Sequence, residues 1–194
     1  LKRGNLNGIM KSQKSLSSYL LLVFFSLLIN LFQLNAEEMI LGEENISEGI
    51  KIVFEAAPKD IVYPKDVYLD ESQTDIHIEM LINWSEGNKR NSPGGGFIPY
   101  LNVFADITNK NGNTTRVELT PHINISDNFH YAQNIQLPGK IDDIYDVIFE
   151  INPPEEGVLG IHYDWKEKYQ QVMNKKIFKY QNLNFEEIAL MSRR

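Results

Sequence analysis

The chain of 194 residues contains no cysteine. Disulfide staples, cysteine-bearing zinc fingers and a catalytic thiol are therefore excluded, as is a lipid anchor of the bacterial lipoprotein kind. An exported protein of this composition must draw its stability from packing alone. Histidine is scarce, with only His77, His122, His130 and His162, and the 19 basic side chains are outnumbered by 26 acidic ones, for a formal charge of −7. A nucleic-acid partner is disfavoured, because such proteins need a basic footprint to displace counterions. No Gly-x-Ser-x-Gly nucleophile motif occurs. Gly94-Gly95-Gly96 lies between strand-like stretches and opens no helix, so it reads as a flexible or close-packing loop and not as a phosphate cradle. A glycosidase-type carboxylate pair has many candidates and none that stands out. What remains, at 42% hydrophobic and 23% charged, is an ordinary globular balance with enough chain for one real core.

The charge is unevenly distributed. Residues 1–36 hold four basic side chains (Lys2, Arg3, Lys11, Lys14), no acidic ones, and the longest apolar run, Leu20 to Phe32, broken only by Ser26 and Asn30. A basic flank, a dozen apolar residues and the small ending Leu34-Asn35-Ala36 predict a signal peptide over 1–36, cleaved after Ala36, with Met10 as a plausible start. The competing reading is an uncleaved anchor, but a membrane span needs about 20 apolar residues. The segment 37–194 then keeps 15 basic side chains, 19 less those four, against all 26 acidic ones, a formal −11. Such a surface concentrates cations and repels anionic lipid and nucleic acid. An exported, soluble domain without stable membrane insertion is expected.

Within 37–194 the dominant pattern is period-2 alternation. In Asp75 to Asn83, Ile76, Ile78, Met80 and Ile82 face one way, and His77, Glu79 and Leu81 the other. Similar stretches occur at 50–56, 99–107, 114–120, 130–137, 144–151 and 175–182, separated by turn signals such as Asn109 to Asn113, Pro138-Gly139 and Asn152-Pro153-Pro154. About seven short strands predict an all-β fold of the β-sandwich type. Residues 59–72 read as an irregular excursion, 164–176 as a short helix, and 184–194 as a ragged helix or a disordered tail.

A transition metal in a cysteine-free protein must be held by imidazole, carboxylate or thioether. His77 and Glu79 project from one face of a strand, roughly 7 Å apart, which lets one ion sit between them. The plainer reading is a solvent-facing polar stripe. His130 opens a strand after the turn-like Ser126-Asp127-Asn128, a place where a ligand is presented on a rigid base; a surface histidine at a loop edge is the alternative. His162 precedes Asp164, which could orient its ring or be an ordinary loop acid. His122, after Pro121, is either a ligand or an edge-strand residue.

Particular strings go further. Thr74-Asp75-Ile76-His77-Ile78-Glu79, then Glu86-Gly87-Asn88-Lys89, then Gly95-Gly96-Phe97-Ile98-Pro99-Tyr100-Leu101, with Ser126 to Tyr131 and Ile151-Asn152-Pro153-Pro154, resemble the bacterial periplasmic iron-transport proteins. These are copper- and iron-binding dimers associated with ferrous-iron permeases. The resemblance covers roughly 40–182 in order. It implies an immunoglobulin-like sandwich whose divalent metal, Fe2+ or Cu2+ with Zn2+ as a further option, is held by histidines from separate strands, a glutamate and a methionine. His77, Glu79, His130 and His162 fall on the implied positions. The methionine does not: seven residues before His130 stands Ile123, while aligning the prolines brings His122 to its place with one extra residue. An imidazole there hardens the site toward Fe(II), Zn(II) or Cu(II), and the loss of methionine removes the usual blue-copper set. The resemblance further implies a homodimer that delivers iron to an inner-membrane permease and carries out no catalysis. Two rivals stand beside it: the same residues serving copper or zinc homeostasis, and an immunoglobulin-like interaction module whose histidines are incidental.

Overall fold

The computed structural model describes residues 38–192; the expected signal peptide lies outside them. The chain forms eight strands: β1 Met39–Ile46, β2 Ile50–Pro58, β3 Ile76–Trp84, β4 Asn102–Asn109, β5 Thr114–Asn124, β6 Asn128–Ile135, β7 Ile144–Asn152 and β8 Lys176–Asn184. Two short helices, α1 Tyr163–Tyr169 and α2 Glu186–Leu190, flank β8. The strands run in the order β1-β2-β3-β6-β5-β4-β7-β8, and every pairing is antiparallel. β4, β5 and β6 follow one another as neighbours and β3 returns beside β6, a Greek key. The all-β sandwich expected from the alternation is the architecture found.

β5 makes the corner between the two layers. Its first half pairs with β4, ending at Leu119 opposite Val103, and its second half pairs with β6, beginning at Thr120 opposite Ala132. A strand that changes sheets in this way folds one continuous sheet over its own apolar face. That face carries Ile50, Ile52 and Phe54 of β2, Ile76, Ile78, Met80 and Ile82 of β3, and Val103, Ile107, Val147, Phe149 and Ile151 of β4 and β7, all wholly buried. Phe54 joins the layers at the far end, with its ring centroid 4.3 Å from that of Phe149 and 5.3 Å from that of Phe178.

β1 has no counterpart among the seven predicted stretches. Its register shifts between Ile40 and Gly42, and the bulge breaks the alternation on which a strand is recognised. Gly42 is required there, since a Cβ would come within 2.3 Å of the Tyr180 ring, which crosses over β1 to hydrogen-bond Glu44 at 3.1 Å. β4 starts three residues later than predicted because Tyr100 adopts a left-handed backbone, φ 63°. The buried Tyr131 hydroxyl fastens this turn by donating to Ile98 O and accepting from Leu101 N, both at 2.9 Å. Tyr131→Phe strips both buried backbone groups of their partner and is expected to cost about 2 kcal/mol, read as the shift in urea midpoint at unchanged m-value.

Residues 59–75 leave β2 and cross the outer face of β3 and β6 before returning as β3. This excursion, closed by the turn Glu71–Gln73 with Asp70 accepting from Ser72 N at 2.9 Å, positions the candidate site. It turns a sheet face that would meet water into an interior one.

Candidate metal centre

Strand pairing brings three histidines to that covered face. His122 of β5 stands directly opposite His130 of β6. Glu79 of β3 stands opposite Ala132, and His77 opposite Asn134, so His77, Glu79, His130 and His122 all point away from the apolar core. The β5–β6 turn, with Asn128 in the left-handed region at φ 63°, centres the hairpin so that 122 meets 130. Ile123 therefore faces outward, 65% exposed. The polar face is not solvated: His77 is 3%, Glu79 0%, His122 9% and His130 2% exposed.

The donor atoms converge. One nitrogen from each of His77, His122 and His130 lies within 4.8 Å of the others. His77 Nε2 is 3.7 Å from Glu79 Oε1, and His130 Nε2 is 3.9 Å from Glu79 Oε2. Hydrogen bonds place a proton on Nδ1 of two of the rings. Asn134 Nδ2 donates to the carbonyls of Asp60 and Leu69 at 2.8 and 2.9 Å, so its Oδ1 faces His77 Nδ1 at 2.7 Å and the proton sits on Nδ1. His130 Nδ1 likewise donates to Asn128 O at 3.2 Å. Both Nε2 atoms are thus turned toward a buried carboxylate, and imidazole nitrogens and a carboxylate at this separation are donor types that one divalent cation can bridge. Ligands bound at about 2.0–2.2 Å in a tetrahedral site lie roughly 3.5 Å apart, so closure on an ion needs shifts of a few tenths of an ångström to about one. The residues fit a divalent metal.

His122 is held by a different partner, its Nε2 lying 3.2 Å from Thr120 Oγ1, and the Tyr68 ring meets it edge-on at 4.9 Å. Burial first, and then the neighbouring His130 imidazole, lowers its pKa to about 4. It is neutral and able to ligate throughout the physiological range, and protons compete at this ring well below the ordinary value near 6.5. A cavity of about 360 Å³ lies over the three imidazoles, roofed by Ile61, Val62, Tyr63 and Tyr68.

His162 is not brought into this group. It is exposed at the residue preceding α1 and lines a separate cavity of about 610 Å³ with Trp84, Arg90 and Trp165. Asp164 accepts from Trp165 N at 2.9 Å.

Two features escape the sequence reading. Asn134 is buried at 3% exposure beside His77, and only its parity with His130 on β6 hints at it. A group of carboxylates, Glu38, Glu79 and Asp127, also converges, with one oxygen of each within 4.8 Å of the others. Glu55, across from Glu79 on β2, is raised to about 7 by burial and then by the charges of Glu38, Asp127 and Glu43. A carboxyl whose folded pKa lies above its unfolded value contributes stability below that unfolded value, near 4.5, and loses it as pH rises through about 7. Glu55→Gln is therefore expected to flatten the pH dependence of melting and to stabilise the protein at pH 8 by up to about 3 kcal/mol, with no gain at pH 4.5.

A Greek-key β-sandwich carrying a buried three-histidine, one-carboxylate cluster defines a candidate metal-binding protein. The family model described as Fe2+ transport protein matches residues 35–187, and the chain belongs to that family. It is 25% identical over 135 residues to a UPF0423 protein of Brucella abortus, covering 66% of this chain and 71% of that one. It is 30% identical over 95 residues to a 34 kDa membrane antigen of Treponema pallidum, covering 48% and 46%. Among solved structures, a copper-bound variant of the P19 protein of Campylobacter jejuni matches with a TM-score of 0.64 at 25% identity, covering 75% of this chain and 95% of that chain. FetP of a uropathogenic Escherichia coli strain matches at 0.61 and 24%, with the same coverage. These two share the fold.

Proposed function

We propose that the protein is a periplasmic metal-binding component of iron uptake, which takes a divalent ion at His77, His122, His130 and Glu79 and passes iron to an inner-membrane permease. The observation that carries this reading is the pair of Nε2 atoms turned on the Glu79 carboxylate at 3.7 and 3.9 Å. The ion is cargo, so the protein acts by binding and release and not as an enzyme. Membership of the Fe2+ transport family and the copper-bound state of the related P19 protein support Fe2+ and Cu2+ as the ions, with Zn2+ chemically admissible at an imidazole and carboxylate set. His122 stands in for a thioether and favours the harder ions. Among the described residues no helix is long and apolar enough to cross a membrane.

His162 belongs to the proposal as a ligand supplied across a homodimer. Its exposure, and that of its neighbours Val158 and Tyr163 at 51% and 80%, leave it available to a second copy. Calorimetric titration with Cu(II) and anaerobic Fe(II), joined to growth of a deletion strain under iron limitation, tests the reading. Tight binding with rescue by the wild-type gene and no rescue by His77→Ala/His130→Ala is expected. Zn(II) binding without any iron-dependent growth defect would transfer the protein to zinc or copper homeostasis.

A further inference from the structure

We propose that Asn134 is a positioning residue that fastens the 59–69 segment over the metal-binding face and, through the same amide, holds His77 in its ligating tautomer. Its Nδ2 donates to two carbonyls nine residues apart, Asp60 O at 2.8 Å and Leu69 O at 2.9 Å, and so closes that stretch into a loop. Its Oδ1 accepts from His77 Nδ1 at 2.7 Å. The amide has one workable orientation, because a flipped side chain would set its oxygen against two carbonyl oxygens. Fastening the segment and choosing the tautomer are consequently one event. A second pin runs in parallel: Tyr68 Oη lies 3.4 Å from Thr120 Oγ1, whose other neighbour is His122 Nε2 at 3.2 Å.

The cover is thus fixed at two points, and each leads to a different histidine. Ile61, Val62 and Tyr63, between the carbonyls that Asn134 holds, roof the cavity above the imidazoles. Lifting the segment opens that cavity and at the same moment releases the bonds that steady Asn134, the partner of His77, and Thr120, the partner of His122. Groups that orient a metal-bound histidine typically change affinity by about 10- to 100-fold when removed. Here they also govern access, so exchange of the ion is limited by opening of the segment. The coupling to metal rests on the function proposed above, whereas the tautomer and the fastening are properties of the metal-free protein.

Asparagine-to-aspartate exchange separates the two roles. Asn134→Asp keeps an acceptor for His77 Nδ1–H and loses both donors to the segment; Asn134→Leu loses everything. Tyr68→Phe touches only the second pin. In the metal-free wild type, nitrogen-15 NMR of the imidazoles is expected to show His77 protonated on Nδ1. Asn134→Asp retains that signature while amide hydrogen exchange across 61–69 accelerates by about tenfold or more, as the loss of two hydrogen bonds implies. Asn134→Leu shows the same acceleration and a mixed His77 tautomer, and Tyr68→Phe accelerates exchange with the tautomer intact. Transfer of Co(II) from loaded protein to a chelator quickens in all three. Wild-type His77 protonated on Nε2, or unchanged exchange at 61–69 in Asn134→Asp and Tyr68→Phe, overturns the proposal. If the wild type fails to bind Co(II), the metal reading falls, and the metal-free measurements still decide the role of Asn134.

Discussion

Replacing His130 by alanine is expected to lower the affinity for Cu(II) by about 100-fold or more while leaving the fold intact. Structural zinc sites with four protein ligands bind with about 10–16 kcal/mol; a comparable total here puts each ligand at roughly 3 kcal/mol, two orders of magnitude in affinity. His130 is well suited to the test because its Nδ1 is already committed to Asn128 O and its Nε2 points at Glu79, so truncation removes a donor and frees no alternative one. His77→Ala should match it, since the two imidazoles approach the two oxygens of one carboxylate. Competition with a chromophoric chelator reads the affinity, and the near-ultraviolet circular dichroism of the metal-free variants checks that the aromatic core is unchanged. An affinity within threefold of wild type in both variants would remove the cluster from the metal-binding reading.

Phe54→Ala should be the most damaging of the simple core truncations, at about 3–5 kcal/mol. Phe54 is wholly buried and lies at the point where β2 of one layer meets β7 and β8 of the other. It touches Phe149, Phe178 and Tyr180 at centroid distances of 4.3, 5.3 and 5.4 Å. The surrounding strands are tied by their own ladders and cannot collapse into the space left behind, so a cavity cost adds to the lost transfer energy. For a domain of this size the loss corresponds to a melting point lower by roughly 10 °C. Ile125→Ala, at the fully exposed tip of the β5–β6 turn, should stay within about 0.5 kcal/mol. Equal losses at the two positions would mean that the layers are not joined through Phe54.

Much of the sandwich is legible in the sequence because alternate residues meet opposite environments. β3 is clearest, with Ile76, Ile78, Met80 and Ile82 in the core and His77 and Glu79 on the other side. β1 is not legible, since its bulge and Gly42 erase the period. β5 continues past the expected end at Thr120 through Pro121 to Asn124. By that point it has lost β4 as a neighbour, and a proline is tolerated on a strand edge because the missing N–H costs no ladder bond.

The candidate site is legible only in part, for a geometric reason. Which residues are histidines is plain, but whether His122 faces His130 depends on where the hairpin is centred, and a shift of one residue would present Ile123 instead. The hairpin centres on Ser126, so that 124 pairs with 128 and 122 with 130. Burial of the polar face is likewise invisible along the chain, because it comes from residues 59–75 folding back over strands distant in sequence. Asn134 and Asp60 are 74 residues apart, and nothing local to either marks the bond between them. His162 shows the opposite case, a residue that similarity of sequence groups with the other histidines and that the fold of a single chain sets in a different cavity.

Anomalous diffraction from crystals loaded with one equivalent of Cu(II), collected at the copper edge, tests the proposed metal centre most directly. One peak per chain is expected within about 2.0–2.2 Å of a ring nitrogen of His77, His122 and His130, beside the Glu79 carboxylate. A principal peak bound elsewhere, or one that leaves His77 and His130 without a bond to the ion, would contradict it.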